Sequence, residues 1–145
     1  MHPKISWPNN KRFAFTIFDD TDRANLKDIQ PVYQCLDELG FKTTKSVWVI
    51  KGNKPHESSG VTCDDTMYLN WLLELKNKGF EIGYHNTTYH SSYREEIKAG
   101  LEKFVTMFNQ LPTVMANHSI NQENIYWGPH RLSGSRRVIY NILTR

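Results

Sequence analysis

The stretch that decides the predicted fold is FAFTIFDD, residues 13–20, an aromatic and branched run that ends in two adjacent carboxylates. A short apolar run of this kind favours a buried β-strand. Similar runs predict a second strand over 43–50, a third over 80–84 and a fourth over 113–116. Another segment, residues 136–143, has the spacing of apolar residues that is typical of a helix.

Helices are predicted between these strands, because apolar residues recur there at a period of about 3.6. We expect Asp28 to cap the first helix and Gly40 to end it, while the second helix ends at Gly79. Ser92 followed by Glu95 is typical of a capping box at the start of the third helix. Strands that alternate with helices predict an α/β fold of parallel strands joined by right-handed crossovers.

Composition limits the possible classes of protein. A length of 145 residues with 39% hydrophobic content predicts one domain over 1–145. The net charge is +3 with scattered basic residues, and this predicts no nucleic-acid partner. The longest apolar run, residues 47–50, is far shorter than the roughly 20 residues of a membrane span. The start of the chain has no apolar signal segment, so we expect a cytoplasmic protein in which Cys35 and Cys63 are reduced.

Polar residues with the potential for chemistry follow the predicted strands, and the carboxyl ends of parallel strands meet at one edge of a sheet. They are Asp19, Asp20, His85, His90, Asn117 and His118. Adjacent carboxylates are costly to bury unless a cation binds them, and neutral imidazole is a common zinc ligand. A solvated turn and exposed loop histidines are the alternatives. His118 in particular fits a ligand, a proton donor or a turn residue.

The first and third strand ends resemble motifs of the polysaccharide deacetylase family, which includes chitin-oligosaccharide and peptidoglycan deacetylases. The run from Thr16 to Thr21 resembles the family's Thr-Phe-Asp-Asp-Gly, with Thr21 in place of Gly. The run from Glu81 through His85 to His90 resembles its paired-histidine motif, with one extra residue between the histidines. The resemblance covers roughly residues 11–118 and lacks the family's Arg-and-Pro motif and its late general-acid histidine.

This resemblance implies an incomplete (β/α)7-type barrel, in which the chain is the N-terminal portion of a C-terminally truncated domain. It implies a metal-dependent hydrolase that removes acetyl groups from N-acetylated sugars or polysaccharide. Asp20, His85 and His90 would hold a divalent metal, most simply Zn²⁺. The remaining roles are a general base at Asp19, a proton donor at His118, and contacts to the carbohydrate substrate from Tyr89, Asn117 and Trp127.

Two other functions remain open at this point. A barrel without its acid residue is compatible with a non-catalytic, glycan-binding or inactive fragment. A phosphatase of the haloacid-dehalogenase type would use Asp20 as nucleophile and Asp22 as acid, but Ala24 stands where that motif has Thr, and both motif histidines lack a role. An incomplete barrel exposes a sheet edge, from which we predict self-association.

Overall fold

The fold is α/β in a computed structural model that describes residues 6–119, 121–124 and 128–144. The helices are α1 (Leu26–Glu38), α2 (Thr66–Asn77), α3 (Arg94–Phe108) and α4 (Gly134–Leu143). The strands are β1 (Thr44–Val47) and β2 (Glu81–Tyr84), and short 3₁₀-helices cover Pro8–Asn10 and Gly128–Arg131. The predicted alternation of strand and helix is therefore present from β1 to α3.

The sheet is parallel, as predicted, with Thr44 of β1 opposite Glu81 of β2. A single parallel bridge joins Phe18 to Thr44 on one side, and another joins Tyr84 to Met115 on the other. The predicted first and fourth strands thus reach the sheet only at single positions. Within the described ranges the sheet has two strands, so the expected (β/α)7-type barrel is not supported.

The predicted first strand fails because the described residues leave its first two aromatic side chains largely uncovered. Phe13 and Phe15 are 74% and 72% exposed, whereas all four residues of β1 are buried. A strand is stabilised by packing of its side chains against neighbours, and these two rings have little packing. Exposed apolar side chains also occur on α4, at Val138 and Ile142, and self-association stays a prediction.

The core lies where α2 and α3 pack near the two strands. Its buried members include Val47, Tyr68, Leu72, Ile82 and Phe104. All five are among the most deeply buried side chains, so they fix β1 and β2 at the centre of the fold. Among the helices that the structure describes, none combines the length and the apolar character that crossing a bilayer requires.

Two predicted helix caps are wrong. Helix α1 is capped by Asn25, whose side-chain oxygen accepts the backbone N–H of Asp28 at 3.0 Å, so Asp28 lies inside the first turn. Helix α3 begins after Tyr93, which makes no side-chain cap hydrogen bond. Ser92 lies one residue before this position, and its hydroxyl donates to the carbonyl of His90 at 3.4 Å. The start of α1 is therefore set by Asn25, a favoured N-cap residue three positions before Asp28, whereas α3 starts without a side-chain cap.

Candidate metal centre

Loops after the strands converge at the carboxyl edge of the sheet. The loop 19–25 follows the Phe18 bridge, the loop 85–93 follows β2, and residues 116–119 and 121–124 follow the Met115 bridge. Backbone hydrogen bonds anchor the starts of these segments to the sheet, from the Asp19 N–H to the Thr44 carbonyl at 3.1 Å, from the His85 N–H to the Val47 carbonyl at 3.2 Å, and from the Ala116 N–H to the Tyr84 carbonyl at 3.0 Å. The expectation that polar residues gather at one edge therefore holds for these loops.

Asp20, Asp22 and His85 form a group that is able to hold a metal ion. Each offers one ligand atom, and these atoms lie within 4.8 Å of one another. His85 Nε2 lies 3.4 Å from Asp20 Oδ1 and 3.7 Å from Asp22 Oδ1. The His85 side chain is 6% exposed, while the Asp20 side chain is 72% exposed, so the group is anchored inside the protein and open to solvent on one side.

The orientation of His85 leaves a lone pair directed at the two carboxylates. His85 Nδ1 lies 3.1 Å from the carbonyl oxygen of Ala116, and a carbonyl only accepts, so Nδ1 carries the proton. Burial lowers the pKa of His85, although the Ala116 carbonyl, Asp20 and Asp22 oppose this shift. In the neutral ring Nε2 is then a pure acceptor. Among the described residues, neither His85 Nε2 nor the buried Asp22 Oδ1 has a hydrogen-bond partner.

His118 adjoins this group on the other side of Asp22. Its Nε2 lies 3.2 Å from Asp22 Oδ2 and 3.3 Å from the Ser58 hydroxyl, and its Nδ1 lies 2.9 Å from Asn121 Oδ1. Asn86 holds the backbone of His118 in place by accepting its N–H at 2.8 Å. Asp22 therefore stands between two buried imidazoles.

Trp48 forms the apolar floor of the site. The indole is fully buried, and its ring centroid lies 4.4 Å from that of His85 and 5.2 Å from that of His118. Close ring contacts of this kind restrict the orientation of both imidazoles. The two histidines are thus held by packing as well as by hydrogen bonds, which is the preorganisation that a metal site needs.

Asp19 points away from the group and pairs with a buried lysine. Lys45 is fully buried, and its Nζ contacts Asp19 Oδ1 at 3.1 Å and Oδ2 at 2.9 Å. The Ser46 N–H donates to Oδ1 at 2.8 Å and the Tyr33 hydroxyl to Oδ2 at 2.9 Å. Burial lowers the pKa of Lys45, and the charge of Asp19 opposes that shift. These contacts fill the roughly four acceptor positions of a carboxylate.

The other predicted site residues are more dispersed. His90 lies outside the group that could hold a metal, because its Nε2 accepts the Asn53 N–H at 3.2 Å and its Nδ1 lies 2.9 Å from the Ser91 carbonyl. Tyr89 is buried and donates its hydroxyl to the Gly52 carbonyl at 3.2 Å. Asn117 is exposed, and Trp127 lies outside the described residues.

Sequence reasoning missed the partners that orient the site. Asp22 has a named chemical role only in the phosphatase alternative, although it follows Asp20 by two residues and shares its loop. The sequence predicts no role for Asn86 and Asn121, since an asparagine in a loop is normally a turn residue. Asn86 has a positive φ of 54°, and this conformation aims its side chain at the segment that carries His118.

Comparison of the chain with protein-family models, with curated proteins and with solved structures finds no match. The family resemblance of the two motifs therefore has no relative that supports or refutes it. A function is consequently inferred from the chemistry of the Asp20, Asp22 and His85 group and from the residues that orient it.

Proposed function

We propose that the protein is a divalent-metal-dependent hydrolase that removes acetyl groups from N-acetylated sugars or polysaccharide. The observation that carries the metal site is the buried Nε2 of His85, which faces Asp20 and Asp22 without a hydrogen-bond partner in the described chain. Three groups that only accept cannot satisfy one another, and a shared cation removes their repulsion. The deacetylase reaction itself is carried by the resemblance of the Asp-Asp and paired-histidine motifs.

Zn²⁺ fits this set of donors. Imidazole nitrogen and carboxylate oxygen are both zinc ligands, and at the usual bond lengths the ligand atoms of a tetrahedral zinc lie about 3.3–3.4 Å apart. The distances from His85 Nε2 to the Asp20 and Asp22 oxygens are 3.4 and 3.7 Å. The Ala116 carbonyl, which fixes the His85 tautomer, is the kind of outer partner that a ligating histidine normally has.

A bound metal supplies two kinds of chemistry here, a lowered pKa of water and polarisation of the acetamide carbonyl. The chain's own groups then have to move protons. Asp19 can act as the predicted general base only after it gives up one of its contacts, and Tyr33 is its only uncharged side-chain donor in the described structure. His118 faces the site through Nε2, the atom from which a proton donor would deliver its proton.

The filled acceptor positions of Asp19 favour one second candidate, a glycan-binding or inactive protein that keeps the metal site without turnover. In this alternative Asp19 is a structural partner of Lys45, and carbohydrate binds with no loss of acetate. The phosphatase alternative gains no comparable support, because it still leaves the buried His85 without a role.

The test of the proposal is release of acetate from N-acetylglucosamine oligomers by zinc-loaded protein. We expect turnover by the unaltered chain and its loss in His85→Ala, with Lys103→Met as a matched control because Lys103 pairs with Asp64 away from the site. Turnover that survives in His85→Ala would contradict the proposed site. Binding of the oligomers and of zinc without acetate release would favour the second candidate.

A further inference from the structure

We propose that His118 is a positioning residue of the metal centre, which holds Asp22 so that one carboxylate oxygen of Asp22 faces the cation. The inference rests on the proposed metal site and names the residue that orients one of its ligands. His118 is not itself a ligand, because the described residues that could hold a metal are Asp20, Asp22 and His85. The role is held before substrate arrives, and it is separate from any later proton donation by the same ring.

The two carboxylate oxygens of Asp22 have different surroundings. Oδ2 lies 3.2 Å from His118 Nε2, which also has the Ser58 hydroxyl at 3.3 Å. Oδ1 lies 3.7 Å from His85 Nε2, and this buried oxygen has no hydrogen-bond partner within the described ranges. Carboxylates that ligate a metal are commonly hydrogen-bonded in turn. Asp22 is thus arranged to give Oδ1 to the cation while His118 holds Oδ2.

The contacts of the His118 ring make Nε2 the donor of this hydrogen bond. The amide nitrogen of Asn121 donates to the carbonyls of Thr88 and His90, at 3.2 and 2.9 Å. Its amide oxygen therefore faces His118 Nδ1, at 2.9 Å, and accepts the proton of that nitrogen. The carboxylate oxygen of Asp22 at Nε2 also only accepts. Both ring nitrogens face acceptors and donate to them, as a doubly protonated ring does.

His118 is firmly held by its surroundings, as a residue that orients another must be. It is 3% exposed, and its ring centroid lies 5.2 Å from that of Trp48. Its backbone N–H donates to Asn86 Oδ1 at 2.8 Å, and its carbonyl accepts from the Asn124 amide. The Asp22 side chain is 31% exposed and lies on a loop, so a fixed donor restricts the rotation of its carboxylate.

The experiment compares two amides at position 118. In His118→Gln the amide nitrogen reaches about as far as Nε2 and is able to donate to Asp22. In His118→Asn the shorter side chain places its amide near the position of Nδ1, beside Asn121 and away from Asp22. Both variants lose the ring that packs against Trp48, so the loss of packing is common to them. The measured quantity is the affinity for Zn²⁺, from competition with a chromophoric chelator.

Loss of a partner that orients a metal ligand typically costs about 10–100-fold in affinity. We expect this loss in His118→Asn, whereas His118→Gln should lose less than about 10-fold. His90→Asn is the matched control, because its ring contacts the Asn53 N–H and the Ser91 carbonyl instead of the carboxylates, and it should leave the affinity unchanged. Urea unfolding of the metal-free variants should show similar losses of stability in His118→Asn and His118→Gln.

Because His118 is buried, a second measurement uses the unaltered chain and needs no variant to fold. In ¹⁵N spectra of the histidine rings, Zn²⁺ should move His85 Nε2 to a metal-bound shift, while His118 Nε2 keeps its proton. Loss of that proton when Zn²⁺ binds would overturn the positioning role.

The affinities separate this role from the metal site itself. Equal losses in His118→Asn and His118→Gln, or no loss in either, would overturn the positioning role and leave the three-residue site intact. A loss in His90→Asn as large as that in His118→Asn would also overturn it, because the effect would not depend on the contact with Asp22. No Zn²⁺ binding by the unaltered chain would overturn both proposals.

Discussion

Lys45→Met is the substitution whose effect follows most directly from the structure. The lysine is fully buried on β1, and its ammonium group contacts both oxygens of Asp19 as well as the Ser46 carbonyl. Methionine keeps much of the apolar stem but removes the charge. Asp19 then keeps its hydrogen bonds from Ser46 and Tyr33 and loses the only cation that pairs with it in the described structure.

The size of the effect depends on how far water can replace the lysine. Removing one partner of a buried ion pair typically costs about 3–5 kcal/mol. The Asp19 side chain is 26% exposed and keeps two donors, so we expect a loss near the lower end of this range, about 3 kcal/mol. For a protein of this size that corresponds to a fall in Tm of roughly 10 °C.

The assay is urea unfolding followed by circular dichroism, with Lys103→Met as the control. Lys103 pairs with Asp64 in a half-exposed position, so its loss should cost less than about 1 kcal/mol. The double variant Asp19→Asn with Lys45→Met should be more stable than the sum of the two single losses predicts, because it leaves no unpaired charge. If Lys45→Met costs no more than Lys103→Met, the pair does not have the buried character described here.

Two other outcomes follow from burial and close approach. Burial raises the pKa of the Cys63 thiol to about 12, whereas Cys35 is exposed. A thiol reagent at neutral pH should therefore label Cys35 and leave Cys63 unlabelled until the protein unfolds, and mass spectrometry of the peptides measures this. Gly60→Ala should destabilise the fold by about 1–3 kcal/mol and weaken metal binding. The reason is that the new Cβ would lie 2.8 Å from the backbone nitrogen of Ala24, in the loop that carries Asp20 and Asp22. An unfolding curve in urea that matches that of the unaltered chain would refute this prediction.

The parts of the fold that depend on local pattern could be predicted from the sequence. The buried run around β1 and the Phe80–Tyr84 run each have packing on both sides, and both became strands that pair in parallel. The run at 13–18 is at least as apolar as these two but pairs at Phe18 alone. Whether an apolar run becomes a strand depends on neighbours distant in the chain, and composition carries no information about them.

The candidate site likewise has residues that the local sequence pattern predicts and residues whose placement depends on distant contacts. Asp20 and His85 follow strand ends in the sequence, and the structure brings them together at 3.4 Å. The family resemblance implied His90 as the second histidine ligand, whereas the structure turns His90 toward Asn53 and Ser91 and has His118 beside Asp22. Hydrogen bonds between residues far apart in the chain select the imidazole that faces the carboxylates, and no spacing rule encodes them.

The most direct test of the metal site is the zinc content of the purified chain beside that of His85→Ala, measured by elemental analysis after dialysis against zinc. We expect about one equivalent in the unaltered chain and almost none in the variant, because the ligating nitrogen is removed and two carboxylates remain. Equal zinc in both proteins, or none in the unaltered chain, would contradict the account.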